Sequence, residues 1–352
     1  MKRFLLLLTL SLSLTASAQQ RRDNFWNDLN DFLNMREDKG YAKMDTTYIG
    51  RYPYHWDARL YYTSTSLRID NIGSGYVSLS TGMNHRVGIG LSYRGLGLSY
   101  SRAIGQKLNF NFTVDSYSKH FCFEYALRFT TGLKGNVETP KVNNQDLSKL
   151  VLGESRLNLF WSFNPRFSYA AAMKQSKIQR RSAGSVIASV SWSVWDVVTF
   201  KGDDEETDPA DLVNYKDNGL TNTLFYALLS SNRFYNRVSV GAGYGYNWVL
   251  GNQHWLLHGS LVPMWTVYEA TTIRENGTKT HTLYPSGWIA FSATGRAGIY
   301  YRWTDRWSVG LSGVINQMAS RNRLDRQAAD FHLFAAHDWQ IRFSLGFRFG
   351  SR

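Results

Sequence analysis

Ile341-Arg342-Phe343-Ser344-Leu345-Gly346-Phe347-Arg348-Phe349, close to the end of a 352-residue chain, alternates strictly between large apolar residues and residues that are cationic or small. A period of two gives a strand two unlike faces. Here one face is Ile341, Phe343, Leu345, Phe347 and Phe349, and the other carries Arg342 and Arg348. The same grammar returns at Ile289 to Arg302, Val238 to Trp248, Phe121 to Phe129, Trp307 to Ile315 and Leu108 to Val114. No apolar-parity position in these segments is Asp, Glu, Lys or Arg, although 19% of the chain is charged.

Such alternation suits a soluble sandwich with its apolar face inward or a membrane barrel with that face on lipid. The segments run to about ten residues, enough for a tilted strand to cross a bilayer, whereas globular strands average about five or six. Their polar parity is rich in Gly, Ser, Asn and Arg, as a lumen requires. Trp248, Trp255, Tyr301, Trp303 and Trp307 recur near segment ends, where interfacial aromatic girdles lie. The expected fold is therefore all-β: an antiparallel up-and-down transmembrane β-barrel of about 12 strands, within a range of about 10–14. The last strand ends with Phe349 as its final aromatic, and Gly350-Ser351-Arg352 follow it.

The start of the chain sets the compartment. Lys2 and Arg3 precede an apolar run from Phe4 to Leu14, then Ala16-Ser17-Ala18. This is the pattern of a secretory signal peptide, and the run falls short of the roughly 20 residues a spanning helix needs. Residues 1–18 are read as that signal, 19–50 as a periplasmic segment and 51–352 as the barrel. Phe25, Trp26, Leu29, Phe32 and Leu33 fall at helical spacing, so a short amphipathic helix is expected there, as a packing element, a plug or a docking segment. Cys122 has no partner, so no internal disulfide forms.

Connections divide into tight and long, as periplasmic turns and external loops do. Thr304-Asp305-Arg306 and Gly251-Asn252-Gln253 are tight, whereas 132–153, 201–219, 270–285 and 317–337 are long. Gly88 to Tyr93 and Gly95 to Tyr100 repeat with the parity flipping at Arg94-Gly95, which a hairpin or a bulge would produce.

Three stretches carry a family resemblance: Asp45-Thr46-Thr47-Tyr48-Ile49 before Trp56, the repeat ending Gly95-Leu96-Gly97-Leu98-Ser99-Tyr100, and Phe167-Ser168-Tyr169-Ala170-Ala171 through Gln175 to Arg181-Ser182-Ala183-Gly184-Ser185. From Asp45 to the end, the chain resembles a family of exported outer-membrane β-barrels of Gram-negative bacteria classed as domain of unknown function 4421. The resemblance implies fold and location and brings no catalytic or ligand residues.

Reactive chemistry is sparse. His254 and His258 share a parity, but two residues four apart on a strand are about 13 Å apart and cannot chelate one metal, so none is expected. Asp203, Asp204, Glu205, Glu206 and Asp208 read as a solvated loop without the ordered spacing of a Ca²⁺ site. His258-Gly259-Ser260 is the nearest approach to a nucleophile system and lacks a visible orienting partner, so no enzyme activity and no cofactor are expected. The net charge of +13 is spread along the chain, and Arg86, Lys107 and Lys119 form no patch with interleaved aromatics, so nucleic acid is not expected as a partner.

One constellation stands out. Arg128, Arg156, Arg296, Arg302, Arg342 and Arg348 fall on the polar parity, against Asp115 and Glu124. They read either as internal struts or as the lining of an anion-preferring passage. The expected function is a passive channel or transporter, or a structural membrane component. The alternatives are an adhesin or assembly subunit working through external loops, and a membrane-embedded lipid enzyme. Expected partners are outer-membrane lipid, the barrel-assembly machinery through the C-terminal strand, and an envelope partner at the N-terminal segment or external loops.

Overall fold

The computed structural model describes residues 44–70, 77–105, 109–137, 142–147, 150–199, 231–275, 278–283, 290–323 and 331–351, with Lys39 and Ala42 besides. The chain divides into two units, 1–44 and 45–352, and all strands described below belong to the second. The signal-peptide segment, the helix expected at Phe25 to Leu33, Lys107 and the acidic run at Asp203 to Asp208 lie outside the described residues.

In chain order the strands are β1 (Ile49–Arg51), β2 (Tyr54–Asp70), β3 (Val77–Ser80), β4 (Asn84–Tyr93), β5 (Leu96–Ala103), β6 (Phe110–Tyr117), β7 (Phe121–Thr130), β8 (Leu133–Val137) and β9 (Val142–Leu147). There follow β10 (Leu150–Ser162), β11 (Lys177–Gln179), β12 (Ala183–Thr199), β13 (Ser231–Leu250), β14 (Trp255–Glu275), β15 (Thr278–Leu283), β16 (Phe291–Arg302), β17 (Trp307–Arg323) and β18 (Phe331–Ser351). A short helix, α1 (Tyr169–Lys174), lies between β10 and β11.

Twelve of these strands form one antiparallel cycle, β2-β4-β5-β6-β7-β10-β12-β13-β14-β16-β17-β18, and β18 returns to pair with β2. Phe343 stands opposite Tyr62 and Leu345 opposite Leu60 across that closing seam. Closure removes the unpaired edge that an open sheet would present to lipid. Arg94-Gly95 is a hairpin: both residues have positive φ, 48° and 83°, as a two-residue turn between right-twisted strands demands.

Tyr54 pairs with Ser351, so both chain ends of the barrel lie at the end that carries the Arg94-Gly95, Gly251-Asn252-Gln253 and Thr304-Asp305-Arg306 turns. The other end is built differently from the expected long loops. Residues 132–153 contain β8 and β9 and the start of β10; β14 runs on to Glu275 and pairs with β15; β17 and β18 stay paired as far as Arg323 opposite Phe331. Polar sequence does not end these strands because each keeps a hydrogen-bonded neighbour beyond the apolar belt.

The outer face is apolar and open. Leu60, Ile89, Leu261, Ile341 and Phe343 are each at least half exposed, a surface a soluble monomer does not present. Leu345 and Phe349 face the same way, and Phe347 lies half-buried between the rings of Trp307 and Phe349. At the turn end, Trp56 packs on Tyr93 and Phe349, Trp255 on Tyr301, and Tyr246 on Trp248, forming an aromatic band. On the inner face Tyr300, 4% exposed, lies over Gly298 and Gly310, where a Cβ would sit about 2.5–2.6 Å from its ring.

Candidate functional site

The lumen is stopped at the turn end by the connection between β10 and β12, which folds inward instead of turning tightly. Ser168 caps α1, its hydroxyl accepting from Ala171 N at 3.1 Å, and Gln175 ends the helix in a left-handed conformation at φ 45°. Phe167, Ala170, Ala171 and Ala172 are completely buried. β11 pairs with β1, so Ile49 completes the plug before the chain enters the first barrel strand at Tyr54.

The plug is tied to walls all round the barrel. Lys174 Nζ meets Asp115 Oδ1 of β6 at 2.5 Å; Asn247 Nδ2 of β13 donates to Ser168 O at 3.0 Å; Arg348 Nη2 of β18 donates to Gln175 O at 2.8 Å. Arg348 also lies 3.7 Å from the centroid of the Tyr52 ring. Gln179 is the hub: its Oε1 accepts from Ser168 N at 3.0 Å and Asn247 Nδ2 at 3.1 Å, and its Nε2 donates to Arg166 O at 2.7 Å and Arg181 O at 2.9 Å. Gln179→Leu keeps the volume but strands these buried groups, at about 1–3 kcal/mol for each one left unsatisfied. The variant should therefore melt several degrees lower in detergent; an unchanged melting temperature would mean that the hub is dispensable.

Asn247 also supplies what His258-Gly259-Ser260 lacked in the sequence. His258 Nδ1 lies 2.8 Å from Asn247 Oδ1, and Nε2 lies 3.0 Å from Ser260 Oγ. The three line up as Ser-His-Asn, yet His258 is 3% exposed beneath Phe167 and Tyr169, and the cavities described below do not reach Ser260. The arrangement is a packed polar contact under the plug. His254, by contrast, sits in the turn with Nδ1 on Arg302 O at 2.7 Å and shares no face with His258.

At the opposite end a roof crosses the lumen. β3 pairs with β2 and with β8, and β8 with β9. Leu79, Leu133 and Leu147 of this extension pack with Leu67 and Ile69 of β2, Leu150 and Leu152 of β10, and Trp195 and Val197 of β12. β2 and β10 are nearly opposite in the barrel cycle, so this apolar layer spans it.

Between roof and plug lies an ionic layer around a cavity of about 160 Å³. Arg296 of β16 forks onto Glu124 of β7 at 2.7 and 2.6 Å, with its guanidinium 4.7 Å from the Phe160 ring centroid; Tyr117 also bonds to Glu124. Arg128 of β7 reaches Asp338 of β18 at 2.9 Å and pairs with Glu154. Arg156 of β10 reaches the other Asp338 oxygen at 3.4 Å and also pairs with Glu154. Arg59 and Arg348 share Asp57, at 2.6 and 3.3 Å. Arg86, 2% exposed, donates to Asn109 Oδ1 at 2.5 Å and Thr130 Oγ1 at 3.3 Å. The Arg296–Glu124, Arg128–Asp338 and Arg156–Asp338 bonds join strands across the lumen, which is the geometry of struts.

Of the arginines singled out in the sequence, Arg128, Arg156, Arg296 and Arg342 line the cavity and Arg348 is buried against the plug. Arg302 does not join them: it sits at the turn end, 3.4 Å from Asp305 Oδ1 and 3.2 Å from Gln253 O. The acids are more numerous than Asp115 and Glu124, because Asp57, Glu154 and Asp338 also point inward. Glu154 shares the parity of Arg156, so the sequence carried its signal. Asp338 was hidden because its stretch read as the end of a loop. Ser168 and Gln179 of the plug had no sequence signal beyond their place in the stretch 167–185 that carried the resemblance, and Asn247 of β13 had only its polar parity.

A closed twelve-stranded barrel, apolar outside and ion-paired within, defines a transmembrane β-barrel of the outer-membrane kind. The chain belongs to the family described as Domain of unknown function (DUF4421), whose family model matches residues 43–349. Among solved structures it is similar to the outer membrane protease OmpT of Escherichia coli, at 8% identity and TM-score 0.38, covering 84% of this chain and 97% of that one. It is also similar to an outer-membrane channel of Pseudomonas putida F1, at 10% identity and TM-score 0.33, covering 84% and 96% of the two chains. A third similarity is to the translocator domain of the autotransporter NalP of Neisseria meningitidis, at 8% identity and TM-score 0.32, covering 93% and 98%. A search of curated protein sequences finds no match.

Proposed function

We propose that the chain is exported by residues 1–18 to the outer membrane of a Gram-negative bacterium. There it works as a closed barrel, a structural membrane component and not an open passive pore. The observation that carries this reading is the pair of seals: the plug at 163–182, tied to β6, β13, β16 and β18, and the apolar roof at the other end. In this reading Ile341, Phe343, Leu345, Phe347 and Phe349 lie against lipid, and the C-terminal strand is the handle for the barrel-assembly machinery. The N-terminal segment ahead of β1 and the external connections are left to engage an envelope partner.

Planar-bilayer recording tests the reading. Purified wild-type chain should insert without steady conductance steps. A variant in which short turns replace both the plug and the β8–β9 hairpin should conduct, with a heat-dependent shift in gel mobility verifying that it has folded. Sustained current from the wild type, equal to that of the variant, would make it a channel. The cation excess of the interior then favours a second reading, a passage that prefers Cl⁻ over K⁺ and loses that preference in Arg296→Ala with Arg342→Ala.

A further inference from the structure

Inside the barrel and against its plug the described cations are Arg59, Arg86, Arg128, Arg156, Lys174, Arg237, Arg296, Arg342 and Arg348. The carboxylates that answer them are Asp57, Asp115, Glu124, Glu154, Glu269 and Asp338, with Arg237 and Glu269 paired at 2.7 Å. A buried charge is costly without a counter-charge or solvent, so it matters where the excess sits.

Part of it, Arg86, lies toward the roof on Asn109 and Thr130, and the rest gathers near the plug. Lys174 and Arg59 each hold one carboxylate, and Arg348 shares the one on Arg59. Among the described residues, no carboxylate lies within 4 Å of Arg342. With the Gln340 amide oxygen turned toward it, that oxygen accepts from Arg342 Nε at 3.2 Å and Nη2 at 2.9 Å, and the Tyr61 ring centroid lies 4.5 Å from its guanidinium. Arg59 Nη2 is buried with no acceptor. The main cavity adjoins a second of about 40 Å³, and Arg342, Lys174, Tyr300 and Ser312 line both; Arg59 and Ser344 line the second. The joined space is several times the roughly 30 Å³ share of one water.

We infer that this junction binds one small oxyanion, a phosphate or a carboxylate, held by Arg342 with Lys174 and Arg59. A guanidinium fork matches two oxygens of such an ion, an ammonium adds a point charge, and the hydroxyls of Ser312 and Ser344 supply further donors. The anion supplies the counter-charge that the protein's own carboxylates do not. The site does not require the lumen to be sealed, so it stands apart from the closed-barrel reading.

Isothermal titration of the detergent-solubilised chain with inorganic phosphate, and separately with malonate, tests it at constant ionic strength in chloride. The anion is present during refolding in one series and added afterwards in the other, so that slow entry does not hide the site. The wild type is expected to bind one equivalent of phosphate or malonate saturably, and which of the two binds tighter identifies the ligand's chemistry. Arg342→Gln should weaken binding at least about tenfold, Arg342→Lys less, and Arg68→Gln at the exposed loop end not at all. Ser312→Asp, which places a carboxylate at the junction, should abolish binding even if Arg342→Gln fails to fold. No saturable binding of either anion by the wild type, or equal affinity in folded Arg342→Gln or Ser312→Asp, would overturn the inference. Conductance is read in bilayers and binding in detergent, so the two readings fail separately.

Discussion

Asp338→Ala is expected to destabilise the barrel by about 3–5 kcal/mol, because it removes one partner from a buried ion cluster and leaves two guanidinium groups short of charge. Arg128 and Arg156 both converge on Asp338 from strands on the far side of the lumen, and Asn316 Nδ2 adds a bond at 3.3 Å. Asp338 is 5% exposed, so water does not replace the lost carboxylate. Asp70→Ala is the control: Asp70 pairs with Arg68 Nε at 2.7 Å, but the Arg68 side chain is 60% exposed, and such pairs contribute about 0–1 kcal/mol. Urea unfolding of the reconstituted barrels measures both. Equal, small losses would show that the interior is wet and its ion pairs are interchangeable with water.

Leu345→Arg should cost about 2–4 kcal/mol, the penalty for a cation on the lipid face near the bilayer midplane. Phe349 belongs to the aromatic band at the turn end, and Leu345 lies four residues further along the same face. At about 3.4 Å per residue and a tilt of about 40°, Leu345 stands about 10 Å above the band, near the middle of an apolar belt about 25 Å tall. Leu250→Arg, at the turn end of β13 and 53% exposed, should cost no more than about 1 kcal/mol because its charge reaches the interface. Equal costs at the two positions would mean that the belt is placed wrongly along the strands. Ser344, next to Leu345, is a poor inward control. It lines the small cavity with Arg59 and Arg342, where another cation would be repelled.

The same two experiments divide what was legible in the residues from what was not. The outward face at Leu345 follows from period-two alternation, since a strand offers only two sides and lipid tolerates only one kind of residue. The arginines could be assigned to the inner side by the same rule, but not their partners. Asp338 meets Arg128 across a sequence separation of 210 residues, and nothing local to either residue specifies that contact. Arg302 obeyed the parity and still missed the lumen, because it is the last residue of its strand and the turn captured it.

The two seals were harder still. Residues 163–182 contain Phe167 and an Ala run that reads locally as an ordinary short helix. Their burial depends on a lumen wide enough to admit them and on Asn247, Asp115 and Arg348 reaching them from separate strands. The roof arises because β3, β8 and β9 pair with one another beyond the belt, in a stretch whose polar composition resembles loop. Alternation along each strand therefore determined the class of fold, the outward face and the approximate number of crossings, since those are consequences of backbone periodicity and the solvent on each side. Which charges neutralise one another, whether the lumen is filled, and where a cation is left over were decided only by the closed barrel. Closure brings residues far apart in sequence within hydrogen-bond reach, and that distance carries no period to read.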